Sequence, residues 1–194
     1  MSNYKRFSVL IHTIKCYNLN MDIITIIKNR RSHRLFKNDK VEKETLIKIV
    51  ECGLFAPNAQ NKQPWHFLLI SNEEKKKALA NLKEENNREH ILSAPVSILV
   101  CIDKNKSPNR IIEDGALASQ NILLAVESFG LNSTYLTAYK QGDNYLENGI
   151  RKIFSIPENI FPVSILPIGY GDSKEEILPK ELPKLENILH TDIW

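Results

Sequence analysis

Helices and strands are interleaved along this chain, which predicts an α+β protein, a mixed sandwich of a sheet with helices packed on it. Two segments carry that expectation. Residues 96–102 form a continuous apolar run of strand length, as a strand buried on both faces requires. Residues 111–129 form the longest apolar helix, with Ala116, Leu117, Ile122, Leu123, Leu124, Ala125 and Val126 leaving few polar faces, and Gly130 stops it. A helix apolar almost all round must be buried, either centrally or by a partner chain.

The other elements follow in order. Asp22 is a good N-cap for a short helix carrying Ile23, Ile24, Ile26 and Ile27 and ending near Asn29. Residues 43–55 make a second helix with Leu46, Ile49, Val50 and Leu54 on one face. Pro57 and Asn58 then open a loop over residues 56–61. Residues 65–71 read as a strand and 73–87 as a charged helix holding Leu79 and Leu82. After Gly130 come a strand over 133–137, a helix over 144–154 and a strand over 163–168. From Glu175 the tail carries Pro179 and Pro183, and reads as extended chain that needs a surface to lie on.

The chain has 194 residues, 42% hydrophobic and 25% charged, the balance of one globular domain. Its net charge of +3 is carried by Lys5, Arg6 and Lys15 in the first twenty residues; the remainder is neutral. A broad electrostatic footprint for nucleic acid is therefore not expected. No apolar run has the length of a membrane span, so no membrane partner is expected. Cys16, Cys52 and Cys101 are far apart and odd in number, which argues against a disulfide framework or a metal site. Free thiols suit a cytoplasmic location. Met21 followed by Asp22 looks like a second beginning, so residues 1–20 are expected to be an extension and 21–194 a single domain.

Three constellations could carry chemistry. Arg30, Arg31, Ser32 and Arg34 place three guanidiniums and a hydroxyl within five residues, a donor set that fits phosphate oxygens and, alone, also a solvated basic patch. The loop Ala56-Pro57-Asn58-Ala59-Gln60-Asn61-Lys62-Gln63-Pro64-Trp65 offers uncharged amides able to hydrogen-bond in the plane of a heteroaromatic ring, or simply connects helix to strand. Gly130-Leu131-Asn132-Ser133-Thr134-Tyr135-Leu136-Thr137-Ala138-Tyr139 ends in small residues that let a ligand approach the backbone, or is an ordinary turn into a strand.

Taken together, in this order, the three pieces resemble the FMN-dependent nitroreductase family. An Ala-Pro before the buried strand, the Ile168-Gly169-Tyr170 strand end and a basic tail extend the similarity from Met21 to about His190. The resemblance implies a central mixed, mainly antiparallel sheet flanked by helices, in an intertwined homodimer with two FMN sites at the interface. It matches Arg30, Ser32 and Arg34, with Arg31 at a variable position, to the cluster that holds the phosphate, ribityl chain and pyrimidine edge of FMN. It matches Pro57, Asn58, Ala59 and Asn61 to a loop reaching the flavin held mainly by the other subunit; the family usually has Ser at Asn58. Thr137 and Ala138 match the backbone facing flavin N5. Asn87 and His90 fall near a loop that in some members touches the pyrimidine. Lys180, or failing that Lys184, matches a basic tail residue at the phosphate, and the tail is expected to wrap the partner subunit.

The implied activity is ping-pong transfer of a hydride from NADH or NADPH through FMN to a nitroaromatic, quinone or similar small acceptor. Arg34 is expected to stabilise charge developing at the flavin N1–O2 edge. No catalytic side chain is expected, and Cys52 reads as a core residue. Dehalogenating and dehydrogenating branches of the same fold usually carry a lid, for which only residues 140–148 leave room. A non-enzymatic flavin- or nucleotide-binding dimer is the remaining alternative.

Overall fold

The computed structural model describes residues 22–194. The expected extension over 1–20, with Cys16, lies outside the described residues. Asp22 caps the first helix as expected, its carboxylate accepting from the Ile24 and Thr25 N–H groups at 2.8 and 3.0 Å. That helix is α1 (Ile23–Asn29), followed by α2 (Lys43–Gly53), β1 (Trp65–Ile70), α3 (Glu73–Ala80) and α4 (Glu85–Ser93). Then come β2 (Val96–Asp103), α5 (Ile111–Ser128), β3 (Asn132–Ser133), β4 (Leu136–Thr137), α6 (Tyr145–Phe154) and β5 (Ile160–Gly169).

The sheet runs β1-β2-β5-β3, with β4 also on β5, and every strand pairing is antiparallel. A single parallel bridge, Ser32 to Ser133, makes it mixed. β2 is central and buried on both faces, its run of apolar residues interrupted only by Ser97, which is buried as well. Its residues Val96, Ile98, Val100 and Ile102 face a core built with α2 and α5, while Leu99 and Cys101 face a second core built with α3, α4 and α6. α5 lies very close to β5. A Cβ on Gly115 would stand 2.7 Å from the Val163 side chain, and Ser119 Oγ shares a 2.7 Å hydrogen bond with Ser164 Oγ.

Three elements depart from the sequence expectation. The helix over 73–87 is split, because Leu82 turns inward to lie where a Cβ on Gly149 of α6 would be, and Lys83 reaches the Thr137 carbonyl at 2.9 Å. Packing against α6 outweighs helix propensity there. The strand over 133–137 is interrupted: the register pairs Ser133 with Ile168 and Leu136 with Ile165, which sets Thr134 opposite Pro167, a residue with no N–H to give the ladder. β5 starts at Ile160, ahead of the expected 163, because a register shift skips Val163 and lets Pro162 sit opposite Cys101.

One apolar surface is left open. Ile23 and Ile27 of α1, Leu54 and Phe55 after α2, and Leu117 of α5 are exposed, Phe55 at 83%. The tail beyond Glu175 leaves Leu178, Leu182, Leu185, Leu189 and Ile193 exposed as well.

Candidate functional site

The arginine cluster is an ordered segment docked on the sheet edge. The His33 N–H donates to the Ser133 carbonyl at 3.0 Å, beside the Ser32–Ser133 bridge. Glu175 pins the next turn: its carboxylate accepts from the Arg34 N–H at 2.8 and 3.0 Å and from the Leu35 N–H at 3.1 Å. Glu175 thereby engages the main chain, while the Arg34 guanidinium stays 59% exposed, 3.9 Å from the same carboxylate. Gly171 completes the seat, since a Cβ there would stand 2.8 Å from His33 Nδ1. Its N–H donates to Asn132 Oδ1 at 2.8 Å. Arg31 does something different from its neighbours. Its guanidinium donates to the Lys28, Asn29 and Arg30 carbonyls at 2.7, 3.1 and 3.2 Å, closing the C-terminal end of α1. Glu127 on α5 is pushed up by burial, and Arg30 and Arg31 pull it back down.

The amide loop is held at the other end of α5. Asp114, buried in the first turn of α5, accepts from the Ala59 N–H at 3.0 Å and the Ser107 hydroxyl at 2.6 Å. Asn58 is half-buried and internal to the loop, its Oδ1 accepting from the Gln63 N–H at 2.8 Å. Gln60, Asn61 and Gln63 all have positive φ, at 55°, 53° and 49°. Each such residue costs on the order of 1 kcal/mol or more, so the anchoring by Asp114 and Asn58 holds a strained conformation. Pro57 and Asn61 are exposed.

The amide loop and the arginine segment are tied to opposite ends of α5. α5 has 18 residues, which at the helical rise make it about 27 Å long. The loop is tied to its first turn, and the arginine segment to Ser133, five residues past its last. Sequence reasoning singled out both pieces but not Asp114 or Glu175, the two acids that hold them. The available signal was an acid placed beside a basic or amide cluster only after folding.

Thr137 lines a cavity of about 560 Å³ with Asn81, Lys83, Asn87, Tyr139, Lys140 and Tyr145 among its walls. Ala138 is fully buried, and its N–H donates to the Val163 carbonyl at 3.0 Å. Lys180 and Lys184 are exposed on the tail, Lys184 Nζ standing 3.7 Å from Glu186. Burial pushes the Cys52 thiol up and the Cys101 thiol up to about 12, away from the lowered range of a reactive cysteine. No cluster of metal-ligating residues occurs among the described residues, and no helix there is long and apolar enough to cross a membrane.

Around Arg34 stand two imidazoles, His33 and His90, whose Nδ1 atoms are buried without a hydrogen bond, that of His33 facing Glu175 Oε2 at 3.7 Å. Burial is the largest cause that lowers both below the ordinary 6.5, and Arg34 lowers them further, against Glu175. A histidine with a depressed folded value adds stability that is complete above 6.5 and is lost as the pH falls through the folded value. The melting temperature should therefore fall as the pH drops below about 6.5. In a His33→Asn, His90→Gln double variant that slope should be shallower; an equal slope would assign the acid sensitivity to other groups.

The nitroreductase family matches over residues 27–91 and 80–170. The chain belongs to the nitroreductase family. A nitroreductase relative from Methanothermobacter thermautotrophicus, assigned as an NADH dehydrogenase/NAD(P)H nitroreductase, is 37% identical over 152 residues, covering 77% of this chain and 78% of its own. A crystal structure assigned the same activity, from Bacteroides thetaiotaomicron, superposes with a TM-score of 0.80 at 31% identity, covering 89% of this chain and 98% of the other. An FMN-dependent nitroreductase from Clostridium difficile superposes with a TM-score of 0.78 at 27% identity, covering 88% and 99%.

Proposed function

We propose that this chain is an FMN-dependent NAD(P)H oxidoreductase that works as a homodimer with two flavin sites at the subunit interface. The observation that carries the proposal is the separation of the two half-sites by the length of α5. A second copy brings the amide loop of one chain to the arginine segment of the other. The exposed apolar surface of α1, Phe55 and Leu117, and the unsupported tail, supply the contact area such a dimer needs.

The residues present fit FMN. Permanently charged Arg30 and Arg34 with the Ser32 hydroxyl are phosphate and ribityl donors, and the buried His90 Nδ1 beside Arg34, with no hydrogen-bond partner, is a polar atom that a ligand can satisfy. When bound, FMN supplies two-electron transfer from NADH or NADPH to a second substrate, the two using one site in turn. This chain's residues do the rest. Arg30 and Ser32 would hold the phosphate end, with Lys180 or Lys184 of a tail joining them. Glu175 fixes the main chain so that the Arg34 guanidinium is presented to the ligand. Arg34 would place a fixed cation at the pyrimidine edge, where reduction adds negative charge. Asn61, held by its strained loop, would offer an amide to the ring system of the partner's flavin.

The test is optical. The purified protein should be yellow with an FMN spectrum, hold two FMN per dimer, bleach under NADH or NADPH without oxygen, and recolour with a quinone or nitroaromatic. A protein that stays colourless in excess FMN would overturn the cofactor. One that is yellow but does not bleach would be a flavin carrier.

A further inference from the structure

We infer that Lys83 is an anion-recognition residue of the 560 Å³ cavity beside Thr137, and that it selects electron acceptors carrying a carboxylate on a flat aromatic body. The inference rests on the oxidoreductase reading and deepens it by naming a substrate class.

Lys83 belongs to the turn between α3 and α4, where the chain leaves the expected helix. Its ammonium is half-buried and donates one hydrogen bond, to the Thr137 carbonyl at 2.9 Å. That leaves two N–H bonds with no protein acceptor. No carboxylate forms an ion pair with it among the described residues. Two acids, Glu84 and Asp143, and a second cation, Lys140, line the same cavity; Glu84 acts on Lys83 through space, and Asp143 accepts from the Tyr145 N–H at 2.9 Å. Burial lowers the Lys83 ammonium from its ordinary 10.5, the sign of a cation held where water is scarce. A half-buried ammonium with no carboxylate in contact keeps two N–H groups that an anionic ligand can take up.

The surrounding wall defines the rest of the ligand. Tyr139 and Tyr145 give it aromatic surface, and Asn81 and Asn87 give it neutral amides. Thr137, which Lys83 grips, belongs to the strand end expected to face the reacting part of the flavin. An aromatic acid stacked there would reach Lys83 with its carboxylate. The phosphates of the nicotinamide dinucleotide are a second source of an oxyanion, and the experiment separates the two.

The holoenzyme is assayed with 4-nitrobenzoate and 4-nitrobenzamide, isosteres differing in charge, and benzoate and benzamide binding is measured by calorimetry on the oxidised, unreacting protein. The wild type should prefer the acid about tenfold in KM and in Kd, the effect of one charge-assisted contact. Lys83→Met should erase the preference, and Lys83→Arg should retain it. High salt should weaken benzoate binding to the wild type, a reading that needs no variant to fold. Equal affinity of the wild type for acid and amide would overturn the inference while leaving the oxidoreductase reading intact. So would a Lys83→Met effect confined to the KM of NADH or NADPH, or to FMN affinity. Failure of the protein to bleach under either nicotinamide would instead defeat the oxidoreductase reading, and calorimetry would still decide the role of Lys83.

Discussion

Arg34→Ala should bind FMN roughly tenfold to a hundredfold more weakly than the wild type, the effect of losing one charge-assisted contact of about 1.5–3 kcal/mol. Reduction by the nicotinamide should slow as well, because the fixed cation at the pyrimidine edge is gone. Folding stability should barely change, within about 0.5 kcal/mol, since the guanidinium is largely exposed. Asn61→Asp provides the complementary lesion. It replaces an amide donor with a carboxylate on the loop held by Asp114 and should weaken FMN binding with little effect on the fold. A mixed dimer of one Arg34→Ala chain and one Asn61→Asp chain then decides how the site is shared. If the loop of one chain serves the flavin held by the other, both lesions fall in one site and the other is intact, so one FMN binds with normal affinity. Titration showing two impaired sites, one with each single lesion, and no intact one would mean that the loop and the arginine segment serve the same chain.

Glu175→Ala should act in the opposite balance, with a large effect on stability as well as on FMN. The substitution strips the Arg34 and Leu35 N–H groups of their acceptor. The expected cost is about 2–3 kcal/mol, or a fall in melting temperature of roughly 5–10 °C. FMN affinity should drop with it, because the guanidinium of Arg34 is no longer presented from a fixed main chain. Glu175→Gln keeps an oxygen acceptor and should recover part of both losses. Thermal melts and FMN titrations on the three proteins check this. If Glu175→Ala melts like the wild type, the tail residue does not anchor the arginine segment.

The two acids that organise the site show where reading the chain stops. Arg30, Ser32 and Arg34 could be singled out because guanidiniums and a hydroxyl clustered within five residues are a local pattern. Glu175 lies 141 residues from Arg34, and nothing in its neighbourhood distinguishes it from Glu176. Asp114 is 55 residues from Ala59 and, from sequence, is one acid in the first turn of a helix. Lys83 was hidden differently: its turn sat inside a segment of good helix formers, and only the seat opposite Gly149 pulled it out of the helix.

What the sequence determined alone were the properties that depend on near neighbours. Asp22 capping α1, the doubly buried run of β2, the long apolar α5 with its Gly130 stop, and the amide loop between α2 and β1 all follow from spacing and side-chain chemistry over a few residues. Only the tertiary structure decided where those pieces stand relative to each other. It put Pro167 opposite Thr134 and so broke a strand. It set the amide loop and the arginine segment at opposite ends of one helix, and it left Lys83 facing a cavity with its one hydrogen bond on the Thr137 carbonyl. The physical reason is one of range. Propensity and periodicity act along a few residues of chain, whereas hydrogen bonds, close packing and desolvation act between groups that only the folded backbone brings together.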